Sequence, residues 1–145
     1  MDWSYVAGFF DGEGNIHIAK SKSFLNGKNS YNVMIRIYQQ APEVLKEIQL
    51  FFGFGHIYQK KDVYELTFNK KAHVKLFLEN IRDKIIVKKS QVEYLLKYFS
   101  FERASNMYFN VDEFRSFIKR KNVEFYRKNH SKHPPIELNG QPNNY

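Results

Sequence analysis

The sequence predicts an α+β domain in which an antiparallel sheet carries helices on one face. Three observations predict it. Residues 15–39 and 56–69 each hold two runs of alternating apolar and polar residues joined by a polar segment, the pattern of a hairpin. The segments before, between and after these hairpins carry apolar residues at helical spacing. No apolar run approaches the roughly 18 residues needed to cross a bilayer, so no membrane partner is expected. The predicted order is α-β-β-α-β-β-α, followed by C-terminal helices.

The elements follow in turn. Asp2 caps a first helix to Phe10, with Trp3, Val6 and Phe10 on one stripe. Asn15 to Ser21 alternates, with Ile16 and Ile18 against Asn15, His17 and Ala19. A polar loop with Asn26, Gly27 and Asn29 leads into Tyr31 to Gln39, where Tyr31, Val33, Ile35 and Ile37 oppose Asn32, Met34, Arg36 and Tyr38. Pro42 suits the first turn of a second helix, with Glu43 near its positive end, and Gly53 and Gly55 end it. The second hairpin pairs His56–Lys60 with Val63–Asn69 across Lys61-Asp62. Ala72 to Asn80 and Ser90 to Phe99 read as helices, the latter buried through Val92, Leu95, Leu96 and Phe99. Asp112 caps a long basic helix running to about Lys128. A single domain over 1–129 is expected, with its core in 1–100, basic C-terminal helices in 101–129 and a flexible tail over 130–145.

With helices on one side, the other face of the sheet stays open. It would carry His17, Ala19, Asn32, Met34, Arg36, Tyr38, Tyr58, Lys60, Glu65 and Thr67. The charge balance suggests what such a face meets. Twenty-three Lys and Arg stand against 15 Asp and Glu, a net charge of +8 that favours a polyanion. The first 80 positions hold ten basic and eight acidic groups; residues 81–145 hold thirteen and seven, so most of the excess lies there. Lys119 and Arg120 are candidates for backbone phosphates. The absence of Cys excludes a disulfide scaffold, a thiol nucleophile and Cys-based metal sites. The N-terminus lacks a basic region followed by an apolar one, so an intracellular protein is expected, in a prokaryotic cytoplasm or an organelle.

One segment carries chemistry: Val6-Ala7-Gly8-Phe9-Phe10-Asp11-Gly12-Glu13-Gly14. Ala7, Gly8 and Gly12 leave a helix face nearly bare, and bare faces let two backbones approach closely. Each glycine costs a helix about 1 kcal/mol relative to alanine, so two in one short helix need a reason. That reason is either tight packing within the domain or contact with a second chain. Asp11 and Glu13 lie at a helix C-terminus, whose partial negative charge disfavours acids. A cation would offset the repulsion, although Asp-Gly-Glu-Gly suits a plain turn equally well.

This segment closely resembles the signature of the LAGLIDADG homing endonucleases, with Gly at Gly12 for Ala and Glu at Glu13 for the second Asp. The following Asn-Ile-His-Ile resembles the family's first strand, and the element order matches over about residues 1–100. The resemblance implies the homing-endonuclease fold, with its antiparallel sheet shaped as a DNA-binding saddle. It implies site-specific hydrolysis of both strands of double-stranded DNA across the minor groove. The motif occurs once, which in this family implies a homodimer whose motif helices pair through Ala7, Gly8, Asp11 and Gly12, on a pseudo-palindromic target. Asp11 could instead orient the helix end. The two copies of Glu13 would meet above the DNA and, with the Gly12 backbone, bind Mg²⁺; Mn²⁺, or Ca²⁺ in crystals, could substitute. Gln39 falls where the family often has a water-orienting Gln, and Lys88 where it has a basic residue near the scissile phosphate. As plain surface residues, Gln39 would be a polar strand end and Lys88 one of a solvated pair with Lys89.

Two other classes stay open on the sequence. A non-catalytic nucleic-acid-binding protein of the same fold, an RNA intron maturase or a DNA-binding regulator, shares the charge and the sheet but has no need of Glu13, Gln39 and Lys88 together. A basic ribosome-associated domain explains the charge but not the acidic double-glycine helix.

Overall fold

The computed structural model describes residues 1–22, 27, 29–101 and 115–121. Helix α1 (Trp3–Glu13) starts where the Asp2 carboxylate accepts the N–H of Tyr5 at 2.8 Å. It runs three residues beyond Phe10, so Asp11, Gly12 and Glu13 form its last turn rather than a loop after it. Gly14 follows in extended conformation and begins β1 (Gly14–Lys22). A Cβ at Gly14 would stand 2.0 Å from the Phe10 ring, so the sharp exit from helix to strand requires glycine there.

Strand β1 pairs with β2 (Asn29–Gln39), and α2 (Pro42–Phe52) follows. Pro42 opens α2, and Gly53 closes it in the left-handed region, its N–H donating to Gln49 at 2.7 Å. Strands β3 (His56–Lys60) and β4 (Val63–Phe68) turn through Lys61, which takes φ of 55°. Strand β4 ends one residue before the expected Asn69. Helices α3 (Lys71–Ile81) and α4 (Lys89–Phe101) complete the core order. Residues 115–121 are helical and form α5; the expected cap Asp112 and the stretch 122–145 lie outside the described residues.

The antiparallel sheet has the order β1-β2-β4-β3. The central position of β2 and β4 follows from burial. Ile16 and Ile18 of β1, Val33, Ile35 and Ile37 of β2, and Leu66 and Phe68 of β4 lie buried on one face. They meet Val6 and Phe10 of α1, Leu45, Ile48 and Phe52 of α2, and Val74, Phe77 and Leu78 of α3. Phe77 is the hub, touching Trp3, Phe10, Phe52 and Phe68 with ring centroids 5.1–5.9 Å apart. Ile118 of α5 is also buried, and Phe117 stacks on Tyr94 of α4 at 5.0 Å. The opposite face of the sheet is uncovered by any described helix, as the alternation predicts. No described helix is long and apolar enough to cross a membrane.

Candidate active site and nucleic-acid interface

The last turn of α1 and the first turn of α4 are locked together by one residue. The Asp11 carboxylate accepts three backbone N–H groups, those of Ile86 at 2.6 Å, Val87 at 3.1 Å and Lys88 at 3.0 Å. These amides precede and open α4, whose first N–H groups have no partner within the helix and favour negative charge. In the other direction, the Lys88 ammonium donates to the main-chain oxygen of Asp11 at 2.7 Å. That oxygen lies in the last turn of α1, where a cation is favourable. Asp11 thus orients the helix end, and Lys88 supplies a cation that the paired acids called for.

Lys88 is 2% exposed, while its neighbour Lys89 is exposed, which separates the two residues of the pair. Burial lowers the Lys88 pKa to about 8, against the opposing pull of Asp11 and Glu13. The Phe10 ring lies 6.0 Å from its nitrogen. Glu13 is exposed at the helix end. Gln39 reaches the same end of the sheet, since Gly14 pairs with Ile37 and Gln39 stands two residues on. Its amide oxygen accepts the N–H of Gln40 at 2.8 Å.

Gly8 and Gly12 lie four apart on an exposed face of α1, and a Cβ at either would meet nothing within 4 Å. Packing inside the domain therefore does not account for them. Ala7 does not share that face. It is fully buried in the core, because at this helix position the side chain turns inward with Val6 and Phe10. The expectation of Ala7 at an interface is corrected accordingly.

Oxygen donors dominate the exposed end of α1. The Glu13 carboxylate and the carbonyls of the last turn suit a hard divalent cation that keeps several waters. They are too few to enclose one, and no group of three or more His, Asp or Glu gathers among the described residues. The donor set fits a metal shared with a second chain or with phosphate oxygens.

On the open face the register lines up cross-strand rows. Asn15, Arg36, Thr67 and His56 form one, and Tyr38, Glu65 and Tyr58 the next. Ala19 pairs with Asn32, and His17 with Met34. A depression of about 390 Å³ lies over this region, lined by His17, Met34, Arg36, His56, Tyr58, Lys60, Glu65 and Thr67. Its members differ in access. Tyr58 and Lys60 are exposed, Arg36, Tyr38, His17 and Thr67 are half-buried, and Glu65 is 4% exposed. Glu65 therefore sits beneath the surface rather than among the groups that project from it. The Arg115 guanidinium of α5 donates to the Ile18 carbonyl at 3.0 Å and so sets α5 beside β1. Lys119 and Arg120 are exposed on that helix. Burial, then the charges of Arg36, Arg115 and Lys119, lowers the His17 pKa, so the imidazole is neutral at pH 7.

The sequence pattern of the LAGLIDADG endonucleases matches residues 6–115. The chain belongs to the LAGLIDADG endonuclease family. Solved structures of LAGLIDADG proteins share its fold. The homing endonuclease I-TnaI is 24% identical with a TM-score of 0.63, over 86% of this chain and 99% of that one. I-CvuI, in complex with the I-CreI target, is 18% identical with a TM-score of 0.68, over 83% and 80%. The LAGLIDADG meganuclease I-SmaMI, bound to uncleaveable DNA, is 18% identical with a TM-score of 0.66, and there the match spans 81% of this chain but 44% of that one. Among curated protein sequences none matches.

The LAGLIDADG fold explains why Glu13, Gln39 and Lys88 converge on one end of the sheet while the predicted face residues spread over its open side. Sequence reading missed three residues of note. His56 lies on the open face, signalled by its even spacing with Tyr58 and Lys60. Arg115 and the buried Gln91, one helical turn beyond Lys88, carried no signal in the local pattern.

Proposed function

We propose that the protein is a site-specific, intron-encoded type of endonuclease that works as a homodimer inside the cell and cuts both strands of a pseudo-palindromic DNA duplex. The single observation that carries this reading is an exposed Glu13 beside a buried Lys88, at the end of a helix whose Gly8–Gly12 face is bare. Pairing two such faces brings two copies of Glu13 together. Each would hold a divalent cation with the Gly12 carbonyl, Mg²⁺ or Mn²⁺ in function and Ca²⁺ as a non-cleaving substitute. The cation supplies a polarised water and offsets charge on the leaving 3′ oxygen. Gln39 orients water at the cleavage site. Lys88, held at its nitrogen by the Asp11 carbonyl, offsets the charge that develops on the phosphate.

The open face enters the major groove on either side, and Lys119 and Arg120 meet backbone phosphates. A nine-residue strand such as β1 spans about 30 Å, roughly nine base pairs. Two protomers would cover a site of about 18 base pairs. A non-catalytic RNA maturase or DNA regulator has no use for a buried lysine held against an exposed carboxylate. The test is selection of cleaved duplexes from a randomised library with Mg²⁺, comparing the parent protein with Glu13→Gln. The parent should yield a symmetric consensus. The variant should dimerise and bind that consensus but cut it slower by orders of magnitude. No cleavage by the parent with Mg²⁺ or Mn²⁺ would establish the binding-module reading instead.

A further inference from the structure

A buried carboxylate on a surface that is meant to meet a polyanion needs an account. Glu65 lies at the centre of the open face, 4% exposed, with cationic groups on both sides. Its Oε1 is 3.8 Å from Nε of Arg36 on β2, and its Oε2 is 3.2 Å from Nζ of Lys60 on β3. Arg36 Nη1 also donates to the Tyr38 hydroxyl at 3.4 Å. Arg36 Nε is buried without a hydrogen-bond partner, as is the Thr67 hydroxyl directly across from it in the register. Glu65 is therefore shared between two cations from its flanking strands, and the guanidinium is held along one edge while Nη2 remains to act on a ligand.

We propose that Glu65 is a positioning residue for sequence recognition. It contacts no base, and it fixes Arg36 and Lys60 as one preformed pair that selects guanine-containing base pairs at adjacent positions of each half-site. This rests on the reading of the open face as a DNA-reading surface. The physical grounds are threefold. A free arginine or lysine on a strand samples many rotamers, and ordering it on binding lowers affinity; a carboxylate that orders both beforehand removes that cost. Arginine and lysine both find acceptors in guanine O6 and N7. The carboxylate also cancels one of the two positive charges, so the pair attracts phosphate less and depends more on the base it meets.

The experiment compares the parent protein with Glu65→Gln, Arg36→Ala, Lys60→Ala and the Arg36→Ala/Glu65→Gln double variant. Base preference is measured across the half-site, together with affinity for unrelated duplex DNA at several salt concentrations. Glutamine keeps shape and one acceptor oxygen. Glu65→Gln should lower discrimination about tenfold at the base pairs that Arg36→Ala and Lys60→Ala affect. It should tighten binding to unrelated DNA several-fold and steepen its salt dependence. The double variant should discriminate no worse than Arg36→Ala at the arginine's position, because Glu65 acts there through Arg36. A merely structural role would move stability and leave preference unchanged. Loss of preference for cytosine at a separate base pair would make Glu65 a direct reader and overturn the proposal, as would an unchanged profile.

A second measurement needs no DNA. The Arg36 Nε–H resonance in nitrogen–proton spectra should be slowed in exchange in the parent and fast in Glu65→Gln. A protected resonance in a protein that binds no DNA would refute the DNA-reading surface and leave the pairing intact. A fast-exchanging resonance in the folded parent would refute the pairing. Should Glu65→Gln fail to fold, Lys60→Ala still decides: it leaves Arg36 held, so the arginine's base pair should keep its preference while the adjacent one relaxes, and relaxation of neither would overturn the proposal.

Discussion

Replacing Asp11 with alanine tests how the candidate active site is held. The carboxylate serves three backbone amides that open α4, at 2.6, 3.1 and 3.0 Å. Hydrogen bonds to a charged group each net about 1.5–3 kcal/mol. The Ile86 and Val87 amides are exposed and regain water on substitution, so they fall below that range. The Lys88 amide is partly buried and is replaced less well, and the Lys88 ammonium loses the nearest of its two anions. A total loss of about 3 kcal/mol follows. For a chain of this length each kcal/mol lowers Tm by about 2–4 °C, which gives a fall of about 6–12 °C. Urea denaturation with an unchanged m-value is the assay, with Asp62→Ala in the β3–β4 turn as the exposed control. Asp11→Asn should lose less, because one acceptor oxygen remains. A loss below about 1 kcal/mol for Asp11→Ala, the level of an ordinary surface cap, would refute the clamp.

Gly8→Leu should leave the monomer as stable as the parent or more so, since a Cβ there meets open space and glycine is the poorer helix former by about 1 kcal/mol. The variant should sediment as a monomer where the parent is a dimer, and an unchanged dimer would remove Gly8 from the interface. Lys88 predicts a pH dependence. Its folded pKa of about 8 lies below the ordinary value of 10.5, so the unfolded chain binds more protons between the two. Stability from this residue is complete above pH 10.5 and is lost as pH falls toward 8, a change of about 3 kcal/mol. The stability gap between the parent and Lys88→Met, followed by denaturation from pH 7.5 to 10.5, should move by that amount in that direction. Lys119→Ala with Arg120→Ala should weaken binding to all duplexes alike and lower the salt slope by about 2, one per phosphate contact. A change confined to one base pair would make them readers instead.

The parts legible in the sequence were those set by local chemistry. Alternation in 14–22 and 29–39 reveals the buried face because side-chain direction has period two, and Pro42 and Gly53 mark α2 through constraints on single residues. Glu13, Gln39 and Lys88 were found through the resemblance, since nothing local distinguishes Lys88 from Lys89. The role of Asp11 was beyond reach, because its partners lie more than 70 residues away and are backbone amides, which any sequence supplies. Ala7 shows the reverse limit: small residues mark both a core position and a contact face, and only the helix rotation separates them. Glu65 was read correctly as a residue of the open face, yet its depth depends on Arg36 and Lys60 closing over it from neighbouring strands.

The sheet order carries a consequence for solubility. A broad polar sheet left uncovered has two outer strands, here β1 and β3, whose unpaired peptide groups invite stacking with the sheets of other molecules. Strand β1 has one outward carbonyl occupied by Arg115, so α5 acts as a guard along that border. Strand β3 has no such cover among the described residues, but it is five residues long and ends in Lys60 and Lys61, where brevity and like charge discourage polymerisation. The surface can therefore vary its side chains widely between those two borders without turning the molecule into a fibre-former. A region with that freedom can change what it recognises while the fold beneath it stays the same.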